Sequence, residues 1–122
     1  MKYLLLIYNN AAQRSSETET AELVRQHAAL HRELVDAGVL VSAASLSEPA
    51  ESTTLKVRDG APAVTDGPYL ESKEYLAGYY LVDCSHDRAL EIAGRIPCGR
   101  AGAVEVRPVD EPVTRAVRGE DG

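Results

Sequence analysis

The sequence contains no Trp, no Phe and a single Met. Six tyrosines therefore supply all its aromatic bulk: Tyr3, Tyr8, Tyr69, Tyr75, Tyr79 and Tyr80. A buried phenol needs a hydrogen-bond partner for its polar tip. These rings suit an interface or a pocket as well as a sealed core. Cysteine is also scarce. Cys84 and Cys98 cannot build a disulfide framework, and their spacing fits no zinc pattern. Cys84 ends an apolar strand and reads as a small core residue, while Cys98 follows Pro97 in a loop. The apolar stretch up to Tyr8 is far too short to span a bilayer, and no cleavage-like segment follows it. These features lead us to expect a cytoplasmic protein that does not enter membranes. No Lys/Arg cluster interrupts the net charge of −6, which argues against nucleic acid and anionic membranes as partners. No nucleotide-binding loop, serine elbow or zinc motif is present, so no cofactor and no metal is expected.

What remains is ordinary globular composition. With 44% apolar and 26% charged residues over 122 positions, one domain with a core is feasible and little room is left for a second. Residues 1–109 read as that domain. Residues 110–122 read as a charged, Pro/Gly-punctuated and mobile tail.

The pattern along the chain alternates strands and helices. Lys2 to Tyr8 has the apolar density of a central strand, broken by Asn9-Asn10. Ser16 and Glu19 form a capping box for a helix running to about Ala37. On it Leu23, Leu30 and Leu34 share a stripe, with Val24 and Val35 beside it, and Gly38 closes it in the left-handed conformation. Val39 to Leu46 is a second strand. Thr53–Arg58 and Ala61–Thr65 flank Asp59-Gly60, a strong hairpin signal, and Asp66-Gly67-Pro68 is a turn. Tyr75 to Cys84 is strand-like. Ser85 caps a second helix carrying Leu90, Ala93 and Ile96, stopped by Pro97. Ala103 to Val109 forms a last strand.

With the hairpin set aside, the order β-α-β, β-α-β predicts an α+β domain of ferredoxin-like split βαβ type. Both helices then cover one face of an antiparallel sheet. The other face needs a partner, and a two-fold homodimer is the simplest. Val104 and Val106 are expected to face the helices, and Glu105 and Arg107 the shared interior.

The segment from Asp66 through Gly67-Pro68-Tyr69 to Glu74, continuing into Leu76, Gly78, Tyr79 and Tyr80, closely resembles the signature of the DGPF-domain, YCII-related family. Ala37-Gly38-Val39-Leu40 and Val104-Glu105-Val106-Arg107-Pro108 match further, and the likeness covers residues 1 to about 109. Tyr69 stands where that family usually has Phe. The resemblance implies a ferredoxin-like fold that pairs into a dimeric α+β barrel. Part of the wider family carries a His–Asp dyad. By its place before Gly38, His27 resembles that histidine, while the aspartate position corresponds to Asn10 or Asn9. An amide orients an imidazole but does not stabilise imidazolium as a carboxylate does.

His27 lies within the apolar stripe of the first helix, either as a hydrogen-bonded core histidine or as a pocket base with a tuned pKa. Asp36 is on the opposite face of that helix and cannot orient it. His31 is one turn on, but the pair has no third ligand. Asp66 fixes its turn through nearby backbone amides, or else the loop bearing Asp66, Tyr69 and Glu71 rims a pocket between subunits, with Tyr69 as one wall. Glu105 and Arg107 read as a buried ion pair, a ligand contact or solvated residues. Two functions follow as expectations. One is a dimeric domain binding a small molecule near the dimer interface, with weak acid–base chemistry at His27 and ligand contacts from Asn10, His31, Asp66, Tyr69, Glu71 and Arg107. The other is a non-catalytic accessory module, because DGPF-type proteins resemble partners of alternative sigma factors.

Overall fold

Alternation of side chains along the first strand decides where the core lies. In β1 (Lys2–Asn10), Tyr3, Leu5 and Ile7 point one way and are buried. They form one cluster with Leu30 and Leu34 of α1 (Glu17–Asp36) and with Ala89 and Ile92 of α2 (His86–Arg95). The computed structural model describes residues 1–10, 17–97 and 102–119. Ser16, the proposed cap, and Cys98 lie outside the described residues.

The Asn9-Asn10 pair does not end β1. Asn9 pairs with Tyr75 and Asn10 with Glu74 on β5 (Glu74–Asp83), so ladder pairing overrides the local break signal. A register shift falls between Ile7 and Tyr8. Helix α1 ends as the sequence suggests. Gly38 has φ +73°, its N–H donates to the Val35 carbonyl, and the Val39 N–H donates to that of Leu34. Val24 and Val35, however, are exposed rather than packed with the leucines. They sit roughly 60–80° round the helix from His27, on the far side from the leucine stripe.

Strand β2 (Leu40–Ser45) follows, then a short 3-10 turn at Pro49–Glu51. Next comes the expected hairpin of β3 (Thr53–Arg58) and β4 (Ala61–Asp66). Asp59 and Gly60 both take positive φ, 52° and 76°, as a tight two-residue turn requires. Helix α2 is capped by the Ser85 hydroxyl, which accepts from the Arg88 N–H at 3.1 Å. Leu90, expected on its inner face, is exposed instead, and Ala89, Ile92 and Ile96 are buried. Strand β6 (Ala103–Pro108) completes the main sheet. Beyond it, the segment from 110, expected as a mobile tail, carries a helix, α3 (Glu111–Arg118), whose Thr114 N–H and hydroxyl both donate to the Asp110 carbonyl.

The four-stranded sheet has the order β2-β5-β1-β6, all neighbours antiparallel, and β3-β4 forms a separate two-stranded sheet. This is the ferredoxin-like arrangement, with the hairpin inserted between β2 and β5. Helices α1 and α2 share one face. The register puts Leu4 opposite Leu81 and Leu6 opposite Tyr79 on the other face. Glu105 and Arg107 fall on that face too, opposite Leu6 and Leu4, while Val104 and Val106 pack towards the helices. Cys84 is half-buried, and burial pushes its thiol pKa up, which disfavours thiolate. Among the described residues no helix is long and apolar enough to cross a membrane.

Candidate functional site

Helix geometry places His27 at an edge. At about 100° per residue, Leu30 and Leu34 fall on one side of it and point into the core. His31, Val35, Ala28 and Arg32 fall on the other side, over the groove between α1 and the β2–β5 end of the sheet. That groove is a cavity of about 730 Å³, and those α1 residues form one wall. Its floor comes from the sheet: Ile7 and Asn9 of β1, Ala43 and Ser45 of β2, and Gly78 and Tyr80 of β5. Gly78 allows β5 a close approach to β2, since a Cβ there would sit 2.7 Å from the Ala44 carbonyl oxygen.

Tyr80 reaches His27 because register puts it on the helix-facing side, opposite Leu5. Its hydroxyl and His27 Nδ1 share a hydrogen bond of 2.9 Å, and the two rings are tilted with centroids 6.2 Å apart. The bond fixes the ring through Nδ1 and leaves Nε2 for other contacts. His27 is half-buried, and desolvation lowers its pKa below the ordinary 6.5. At neutral pH the imidazole is therefore uncharged. His27 is hydrogen-bonded at the core boundary and also lines the cavity.

The other site residues expected from sequence are distributed over the molecule. His31 lines the same cavity from one turn further along α1. Of the two asparagines, Asn9 is the one in the cavity; Asn10 lies beyond it on β1, paired with Glu74. Asp66 and Glu71 come together elsewhere. They border a second cavity of about 1130 Å³ at the base of the hairpin, with Tyr8, Leu46 and Tyr75. The turn there is held by the Gly67 N–H donating to Ser52 and the Thr54 hydroxyl donating to Gly67, each at 2.7 Å, with Gly67 at φ +95°. No bond from the Asp66 side chain to a backbone amide contributes among the described residues. Tyr69 lines neither cavity: it is 67% exposed, and the Lys56 ammonium lies 5.0 Å from its ring centroid. Arg107 pairs with Glu105, both exposed on the single chain. Among the described residues, no group of three or more His, Cys, Asp or Glu side chains converges as a metal site would, and the His27–His31 pair gains no third ligand.

Of three cavity residues not expected as contacts from the sequence, two need tertiary pairing to be placed and one does not. Tyr80 needs the β1–β5 register to be placed opposite Leu5 on the helix side. Ser45 needs the β2–β5 pairing. Arg32 was open to detection, because a helical wheel puts it on the row of Ala28 and Val35.

A split βαβ sheet, antiparallel throughout, with both main helices on one face and a cavity beneath the first of them, defines a ferredoxin-like α+β domain. The model of the YCII-related domain matches residues 1–112. An uncharacterised protein of Rhizobium meliloti (strain 1021) is 38% identical over 114 residues, covering 89% of this chain and 92% of that protein. The chain belongs to the YCII-related domain family. Neither similarity brings a reaction with it, so function rests on the site.

Proposed function

We propose that the chain binds a small molecule in the cavity beneath α1, with His27 as its central contact and proton acceptor. One observation carries the reading: a half-buried, uncharged imidazole, fixed by a 2.9 Å hydrogen bond to Tyr80, opens on a cavity of about 730 Å³. That size suits small-molecule sites, which run to roughly 300–1,000 Å³. Walls of Ile7, Val35, Ala43 and Ala77 exclude water from one side of a ligand, while Asn9, Ser45 and His31 offer polar contacts. A neutral imidazole at pH 7 accepts a proton from a ligand hydroxyl or an activated C–H, and Tyr80 holds the ring while it does so. Asn9 has no negative charge with which to stabilise the imidazolium formed, so the acid–base chemistry is weak.

The reading includes a homodimer through the sheet face that α1 and α2 leave uncovered. Leu4, Leu81 and Tyr79 stand there only part-buried, with the Glu105–Arg107 pair at one edge. Pairing two such faces would bury that surface.

The test is a fragment screen by NMR, following the His27 imidazole in the wild-type chain and repeating hits on His27→Ala. Hits that move the His27 ring and lose affinity in the variant support the site. A broad screen that leaves His27 unmoved removes it. Sedimentation at several concentrations checks the dimer, and a mass that stays at one chain throughout removes that part.

A further inference from the structure

The cavity beneath α1 is unusual for this chain in its charge. The protein has 19 Asp and Glu against 13 Lys and Arg, yet among the described residues no Asp or Glu lines this cavity. Among the described residues its one permanently charged lining group is the guanidinium of Arg32. The other arginines of α1 and α2 are neutralised locally: Arg25 by Glu22, Arg88 by Glu91, and Arg95 by Glu33 at 2.6 and 2.7 Å. Among the described residues no carboxylate lies within ion-pairing distance of Arg32. The unpaired arginine of α1 is thus the one that faces the cavity.

We infer that the cavity selects a small organic monocarboxylate, with Arg32 holding the carboxylate and the apolar walls holding the hydrocarbon body. This rests on the small-molecule reading above and names its ligand class. A guanidinium presents paired N–H donors that match the two oxygens of one carboxylate. The charge arithmetic favours a monoanion. One arginine balances one negative charge, and among the described residues no second Arg or Lys lines the cavity. The remainder of the lining is mostly small and apolar: Ala28, Ala43, Ala44 and Ala77 leave room for a ring or branched chain, and Ile7 and Val35 close its sides. His27 and Tyr80 sit deeper, under the ligand body, where the imidazole meets the part of the molecule away from the carboxylate.

The experiment uses the intact chain at neutral pH and four probes: benzoate, cyclohexanecarboxylate, benzamide and benzylamine. Binding is read from the imidazole resonances of His27 and His31. Both carboxylates are expected to bind at least about ten-fold more tightly than benzamide, the amount a charge-assisted pair contributes over a neutral one. Benzylamine is expected to leave both rings unmoved. Arg32→Gln, at an exposed position that folding does not depend on, is expected to remove about ten-fold from benzoate affinity and leave benzamide unchanged. Benzamide or benzylamine binding as tightly as benzoate overturns the carboxylate assignment while the pocket itself stands. An Arg32→Gln chain that binds benzoate as well as wild type overturns it in the same way. If no probe moves His27, the pocket reading and the ligand class fall together.

Discussion

The Nδ1 of His27, on the first helix, and the hydroxyl of Tyr80, fifty-three positions later on β5, share a hydrogen bond of 2.9 Å. It ties α1 to the sheet at the border between core and cavity. Removing the hydroxyl alone, with Tyr80→Phe, keeps the ring packing. The loss should be that of one part-buried hydrogen bond, about 0.5–1.5 kcal/mol. Denaturant unfolding measures it, and an unchanged midpoint would show that the bond contributes nothing.

The lowered pKa of His27 makes stability depend on pH in a definite direction. Unfolded, the ring titrates near 6.5; folded, it titrates lower because burial penalises the charge. Between the two values the unfolded chain binds more protons, so stability rises with pH there. The benefit of a neutral His27 is complete above the unfolded value and is lost as pH falls through the folded one. Thermal midpoints at about pH 7.5 and about pH 5.5 should therefore fall further in wild type than in His27→Gln. Carboxylates titrate alike in both chains, so the difference isolates His27, and equal falls would remove it as the cause.

Two leucines separate apolar identity from burial. Leu34 is fully buried, and Leu34→Ala should cost about 2–5 kcal/mol through the cavity it opens. Leu90 is 49% exposed, and Leu90→Ala should stay within about 0.5 kcal/mol. Chemical denaturation of both variants checks the pair, and a Leu90→Ala cost near that of Leu34→Ala would mean that α2 faces the sheet differently.

Two glycines make a similar contrast. A Cβ at Gly102 would lie 1.9 Å from the Tyr8 carbonyl oxygen, a backbone atom that cannot rotate away. Gly102→Ala should cost about 1–3 kcal/mol. Gly94, on α2, has open space around it, so Gly94→Ala should stabilise by about 0.4–1 kcal/mol by stiffening the unfolded chain. Melting curves with the two effects reversed in sign would contradict the packing described at both places.

Much of the architecture was legible because its signals are local. Gly38 ended α1, Asp59-Gly60 turned the hairpin and Ser85 capped α2, each where backbone chemistry demands it. Local preference gave way where it met pairing or packing. Asn9-Asn10 looked like a break, but the β5 ladder carried β1 through it. Val24 and Val35 border the leucine stripe of α1 and Leu90 was expected on the inner face of α2, and the helix rotations turn all three out. The candidate site was only half legible. His27 and His31 were found from helix spacing, whereas Asp66 and Glu71 belong to a different cavity, and Asn10, Tyr69 and Arg107 to neither.

The sequence by itself determined the order of strands and helices as far as β6, the turns between them and the split βαβ arrangement, because hydrophobic period and turn chemistry act over a few residues. Tertiary structure alone decided which polar groups meet. Tyr80 reaches His27 only through the β1–β5 register. Arg32 shares a cavity with Asn9 and Ser45 only because α1 packs with one face half off the sheet. Register and helix rotation are fixed by the sum of many long-range contacts, and no short stretch of sequence encodes that sum.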